Sequence, residues 1–237
     1  MGPEDVVVRI QYVGLCGSDL GMYRGTFSIG TYPRIPGHEV SGVIMATGEA
    51  VPGSIAIGER VTLWPYSECG VCPACRVGRP NSCQFNETLG LQRDGAMPER
   101  FAIHYSKVFP SKVLTPKELA LVEPMSVGYH AANRGEVSEV DTVLVIGCGT
   151  IGMGVLAASV RKGATVIAVD VDEGKLALAA RFGAQHTINS TEEDVLQEVG
   201  CITGGDGANV AIEAVGLPET FRLAVDAVCY AGRVVYV

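Results

Sequence analysis

Residues Thr142 to Gly152 read TVLVIGCGTIG, and this stretch constrains the fold more than any other. Thr142–Ile146 is apolar on both faces, as a strand in the middle of a parallel sheet must be. It runs straight into Gly147-Cys148-Gly149-Thr150-Ile151-Gly152, a G-x-G-x-x-G turn, with a helical pattern over Ile151–Lys162 behind it. In such a turn the first glycine permits the tight bend. The second lets a pyrophosphate approach the backbone, and the third lets helix and strand pack closely. The helix N-terminus then offers unpaired N–H groups to the phosphates.

The remainder of the C-terminal half has the matching rhythm. Thr165–Val169, Thr187–Asn189, Ala208–Ala214 and Arg233–Val237 read as strands. Glu173–Phe182, Asp194–Gly200 and Glu219–Val228 read as helices between them. This βα alternation predicts a doubly wound parallel sheet over 137–237. Asp170 stands at the end of the second strand, where a carboxylate can hold the ribose 2′-hydroxyl of NAD and repel the 2′-phosphate of NADP. Asp172 competes for that role from two residues further on. Five strands can be counted where six complete such a domain, so the segment is expected to be incomplete.

The first 136 residues look different. Val6–Val13, Val40–Ala46, Arg60–Leu63, Ala102–Phe109 and Glu118–Val122 are short extended candidates separated by Gly and Pro, the pattern of a β-rich, barrel-like unit. Met125–Arg134 reads as a helix leading onward. Within this unit Cys69, Cys72, Cys75 and Cys83 form C-x2-C-x2-C-x7-C. A C-x2-C turn brings two sulfurs to one ion, and two more close a tetrahedron, the geometry of structural zinc with no position left for chemistry. Cys16, His38, Glu39 and Glu123 are the remaining polar residues to be explained. Thiol, imidazole and carboxylate are ligands for a catalytic zinc, but spacing alone does not bring these residues together.

Bulk properties exclude several classes. With a formal charge of −8 and no basic block, the chain lacks the electrostatic footprint of a nucleic-acid binder. It has no apolar run long enough for a membrane span, and Met1-Gly2-Pro3-Glu4-Asp5 lacks the features of a signal peptide. A cytoplasmic protein is therefore expected, and clustered thiols in a reducing compartment point to metal rather than disulfides.

Taken in order, Cys16-Gly17-Ser18-Asp19, Gly37-His38-Glu39, the four-cysteine loop, EPMSVGYHA from Glu123, and GCGTIG from Gly147 resemble the zinc-containing medium-chain alcohol and polyol dehydrogenases. The Glu-Pro-Met-Ser stretch is similar to the sorbitol and threonine dehydrogenase branch. The resemblance implies an α/β protein, with a GroES-like catalytic domain (1–136) followed by a Rossmann domain (137–237), both incomplete. It implies one catalytic and one structural zinc, NAD, a small alcohol substrate, and a homo-oligomer, dimer or tetramer. Cys16 and His38 match catalytic zinc ligands, and either Glu39 or Glu123 matches the third. Ser18 matches the hydroxyl that relays the substrate proton, and Asp19 the carboxylate that orients the histidine. Gly21 stands where many members have a histidine that extends the relay, so here the relay would end in water or at the cofactor ribose. Members also carry a strand region before Met1 and further segments after Val237. A non-catalytic dinucleotide-binding or zinc-stabilised protein of the same ancestry is the alternative.

Overall fold

Val6 and Val8 are fully buried while Val7 between them is not, the two-residue period of a strand with one face on a core. They open β1 (Asp5–Gly14). The computed structural model describes residues 1–27 and 29–237. These fall into two units, Met1–Glu123 and Pro124–Val237.

In the first unit β1 is followed by α1 (Gly17–Arg24), β2 (Glu39–Thr47), β3 (Arg60–Leu63) and α2 (Pro73–Arg76). Then come β4 (Arg100–His104), β5 (Val108–Pro110) and α3 (Pro116–Ala120). The five strands make one sheet in the order β4-β1-β2-β3-β5, with every pairing antiparallel. Its core gathers Val6, Val8, Val40, Ile44, Val61, Leu63, Leu89 and Ile103. Ala102–Phe109, expected as one strand, is split between β4 and β5 by a 3-10 turn at Tyr105–Lys107. Glu118–Val122, expected as extended, belongs to helix instead. Thr115 accepts from the Glu118 N–H (3.3 Å) and Glu118 accepts from the Thr115 N–H (2.7 Å). With Pro116 at the first helical position, this capping box nucleates α3.

The helix α4 (Val122–Arg134) begins at the last two residues of the first unit, and the second unit continues from it into β6 (Thr142–Ile146), α5 (Thr150–Arg161), β7 (Thr165–Asp170), α6 (Glu173–Arg181) and β8 (His186–Asn189). It ends with α7 (Val195–Thr203), β9 (Ala208–Glu213), α8 (Pro218–Asp226) and β10 (Val228–Tyr236). The sheet is wholly parallel in the order β10-β9-β6-β7-β8, the doubly wound topology expected. Both faces of β6 are covered. Val143 and Val145 pack with Val155 and Leu156 of α5 and Leu176 of α6. Leu144 and Ile146 pack with Val195 and Val199 of α7 and Ala224 of α8. The order places the end of β6 in the middle of the sheet, with β7 and β8 laid down on one side and β9 and β10 on the other; ligands of such sheets bind at this switch in strand order. Among the described residues no helix is long and apolar enough to cross a membrane.

Candidate metal centres and dinucleotide cleft

Strand register explains how Cys16 meets His38. Gly14, the last residue of β1, lies opposite Glu39, the first of β2. The chain therefore leaves β1 toward Cys16 at the same point where it enters β2 from His38. Cys16 is the N-cap of α1, and its backbone N–H donates to Asp19 Oδ2 at 3.0 Å. The other oxygen, Asp19 Oδ1, faces His38 Nδ1 at 3.8 Å, with both side chains more than nine-tenths buried. Asp19 thus ties the two loops together and leaves Nε2 of the imidazole for a ligand.

Ligand atoms of Cys16, His38 and Glu39 all lie within 4.8 Å of one another. Two donors on a tetrahedral zinc are about 3.5 Å apart, so a small contraction would let one ion bind all three. Electrostatics agree with that donor set. Burial opposes ionisation of the Cys16 thiol, but hydrogen bonds with His38 and Ser18 pull it below its ordinary value. His38 is raised despite burial, through Cys16 and the charge of Asp19. Glu39 is raised by burial and by the charge of Glu123. Buried donors crowded so closely that their negative charges oppose one another suit a divalent cation, which relieves that repulsion. Asp19 Oδ1 and His38 Nδ1 face each other, buried and without other hydrogen-bond partners, so the Nδ1 side of the ring is committed to the carboxylate and Nε2 is the nitrogen left for a metal. The residues fit zinc.

Glu123 is buried beside this cluster but is not within 4.8 Å of all three donors. Burial raises its carboxyl, although the Tyr66 hydroxyl donates to Oε1. Tyr66 is a residue that sequence reasoning passes over, because 57 positions separate it from Glu123 and no local pattern links them. Ser18 sits on the first turn of α1 against Cys16.

The four cysteines also converge, with their sulfurs all within 4.8 Å of one another. Cys72 Sγ and Cys83 Sγ are 3.9 Å apart, close to the roughly 3.8 Å edge of a tetrahedron of sulfurs around zinc. Backbone N–H groups point at sulfur: Cys69 N–H to Cys83 (3.4 Å), Cys72 N–H to Cys69 (3.3 Å) and Phe85 N–H to Cys83 (3.3 Å). Such donors lower the Cys69 and Cys72 thiols, while burial raises Cys75. Val71, Val77 and Phe85 are mostly exposed. The loop has almost no apolar core of its own, so an ion would supply its cohesion.

In the second unit a cleft of about 420 Å³ opens where β6, β7 and β9 end. Gly147, Gly149 and Asp170 line it, with Lys175 and Thr220. Thr150 and Ile151 start α5 beside it, whereas Gly152 is buried beneath the turn. Asp170 Oδ2 accepts from the Cys148 N–H (2.7 Å), and Oδ1 accepts from Val171 (2.8 Å) and Asp172 (3.0 Å). Asp172 instead caps α6 by accepting from the Lys175 N–H at 3.0 Å. On the opposite wall Glu213 plays the part that Asp170 plays on its own side. It ends β9 fully buried and accepts from Val215 (2.7 Å), Gly216 (2.8 Å) and the Thr220 hydroxyl (2.8 Å). A lone Glu closing an apolar strand was the available signal for it. A Cβ on Gly149 would meet nothing within 4 Å. The space before it is left for a ligand, and the residues fit a dinucleotide.

Comparison with known proteins agrees with this geometry. Residues 2–113 match the alcohol dehydrogenase GroES-like domain, and residues 150–237 match the zinc-binding dehydrogenase domain. A zinc-type alcohol dehydrogenase-like protein of Haemophilus influenzae is 35% identical over 98% of this chain and 68% of its own length. Sorbitol dehydrogenase of Bacillus subtilis is 37% identical over 99% of the chain and 68% of its own. A zinc-binding dehydrogenase of Sinorhizobium meliloti, solved with NADP bound, superposes with a TM-score of 0.93 at 32% identity. It covers all of this chain, which spans 70% of it.

Proposed function

The chain belongs to the zinc-type medium-chain alcohol dehydrogenase family, and on that premise we propose that it transfers a hydride between a secondary alcohol of polyol or sugar-alcohol type and NAD. The observation that carries the reading is the convergence of Cys16, His38 and Glu39, from separate loops, to within 4.8 Å. Zinc, when bound, supplies Lewis acidity at the alcohol oxygen, and NAD supplies the hydride acceptor.

The chain's own residues do the rest. Cys16, His38 and one of the carboxylates Glu39 and Glu123 hold the catalytic ion. Cys69, Cys72, Cys75 and Cys83 hold the structural one. Asp19 keeps the His38 ring turned toward the ion, as partners of metal-bound histidines do. Ser18, against Cys16, takes the proton leaving the alcohol. Gly147, Gly149, Thr150 and Ile151 present backbone to the pyrophosphate, and Gly152, packed beneath the turn, lets α5 come close enough for them to do so. Asp170 accepts a ribose hydroxyl and disfavours a 2′-phosphate. Its fixed orientation supports this reading, since three backbone N–H groups hold it in place. The polyol assignment is supported by the likeness to sorbitol dehydrogenase. The catalytic assembly is assigned to 1–136 and dinucleotide binding to 137–237.

Zinc content and polyol oxidation, followed by NADH formation, test this together. Wild type should hold two zinc ions per chain. His38→Ala should keep one and lose turnover. Undiminished zinc content or turnover in H38A would refute the scheme.

A further inference from the structure

A catalytic zinc needs a position free for substrate, and this cluster contains one protein donor too many. Cys16, His38, Glu39 and Glu123 together would close a tetrahedron. The structure holds Glu123 apart. After β3, Trp64 N–H donates to the Lys107 carbonyl at 2.7 Å, and the Pro65 carbonyl accepts from the Leu89 N–H at 3.0 Å and from Arg93 Nη2 at 3.2 Å. The segment is thereby pinned on both sides. The Trp64 ring then meets Tyr66 edge-on, with centroids 5.3 Å apart. From this fixed ring the Tyr66 hydroxyl donates to Glu123 Oε1.

We propose that Tyr66 is the positioning residue that holds Glu123 off the catalytic metal, so that Glu39 is the third protein ligand and the fourth position stays open. The proposal rests on the reading of this cluster as the catalytic metal site. It makes Glu123 a hydrogen-bonded neighbour of the reacting groups rather than a ligand.

The test is a double-mutant cycle on the full chain, with zinc kept in the four-cysteine loop and cobalt(II) titrated into the second site against a chelator. Tyr66→Phe keeps the ring and removes the donor. It should bind cobalt roughly 10- to 100-fold more tightly as Glu123 joins the ion, the usual scale of changes made next to a metal ligand. Its visible spectrum should shift and stop responding to added azide, because no position remains open. Glu123→Gln should match wild-type affinity and spectrum, and Y66F/E123Q should return to them. Wild-type behaviour of Y66F, or a tenfold loss of cobalt affinity in E123Q alone, would overturn the proposal. The E123Q arm decides by itself if Y66F does not fold. A wild-type chain that takes up only the four-cysteine ion would sink the parent metal reading and this proposal with it. A cycle that is flat despite normal uptake at both sites would sink this proposal alone.

Discussion

Gly14→Ala should damage the catalytic metal site without touching the site's own residues. Gly14 ends β1 opposite Glu39, and the Glu39 side chain lies over the space a larger residue would fill. A Cβ built at position 14 falls 2.1 Å from Glu39 Oε2, 2.9 Å from its Cβ and 3.2 Å from its carboxyl carbon. Ordinary contact begins at 3.4 Å, so the carboxylate oxygen must retreat by about 1.3 Å (3.4 less 2.1). The backbone cannot provide that space, because Gly14 and Glu39 are paired in the sheet and their neighbours Val13 and Val40 are paired as well. Glu39 must therefore rotate away. Gly14 has ordinary strand backbone, so alanine adds a steric conflict and no conformational one.

Overpacking of this kind costs about 1–3 kcal/mol of stability. The functional loss should be larger, since a misplacement of about 1 Å at a reacting centre costs roughly 100-fold in rate. Zinc affinity at the second site should fall roughly 10- to 100-fold, as when a supporting contact of a ligand is lost. Competition with a chromophoric chelator measures both ions in one titration, and the four-cysteine ion is the internal control. In a Glu39→Ala background the carboxylate conflict is gone and only the 2.9 Å approach to the Cβ remains, so G14A should then cost less. Wild-type affinity in G14A, or equal weakening of both ions, would refute the reasoning.

Cys83→Ser should release the structural ion and make the loop around residues 69–83 the first site of proteolysis, because its apolar residues are exposed and give it no core. Mass spectrometry of the early fragments checks this, and cleavage elsewhere first would contradict it. A pH dependence arises from Glu39, Glu123 and His38, whose folded-state values are all raised. A raised value contributes stability below the unfolded-state value, about 4.3 for glutamate and 6.5 for histidine, that is lost as pH rises through the folded one. The metal-free chain should thus lose stability as pH rises above about 4.3 through the glutamates and above about 6.5 through the histidine. Cys16, whose value is lowered, works in the opposite direction as pH rises toward its unfolded-state value. The gap in melting temperature between zinc-loaded and chelated protein should widen with pH, and a constant gap would exclude these groups as the cause.

The parts of the molecule that could be read from sequence are those whose geometry is local. G-x-G-x-x-G and C-x2-C-x2-C each build their shape within a few residues, so spacing was sufficient. The sheet of the second unit was legible for the same reason: TVLVI must be covered on both faces, and only flanking helices do that. The meeting of Cys16 with His38 depends on the register of β1 against β2, which no spacing reveals, and family resemblance alone pointed to it. Tyr66 lies 57 positions from Glu123 and carries no motif of its own. Two local signals were available and misread. Thr115-Pro116-Lys117-Glu118 is a capping box preceding α3, although Glu118–Val122 looked extended. The helix α1 was missed because its N-cap is a cysteine, a residue outside the usual capping set. The final strand begins at Val228 rather than Arg233, with a register shift around Ala231, which takes a positive φ of 63°.

The glycines of the GCGTIG turn separate what the fold demands from what a ligand demands. A Cβ on Gly152 would lie 1.7 Å from the Gly147 carbonyl oxygen, so α5 could not approach β6 with any other residue there. A Cβ on Gly149 meets no atom of the protein within 4 Å, and its φ of −70° is open to any residue. The fold has no use for glycine at position 149; a phosphate that must reach the backbone does. Gly152→Ala should therefore lower the melting temperature, at the cost of about 1–3 kcal/mol typical of overpacking. Gly149→Ala should melt like wild type while binding NAD more weakly, read by calorimetry. If G149A is destabilised like G152A, or binds NAD as wild type does, the cleft is not where the pyrophosphate lies.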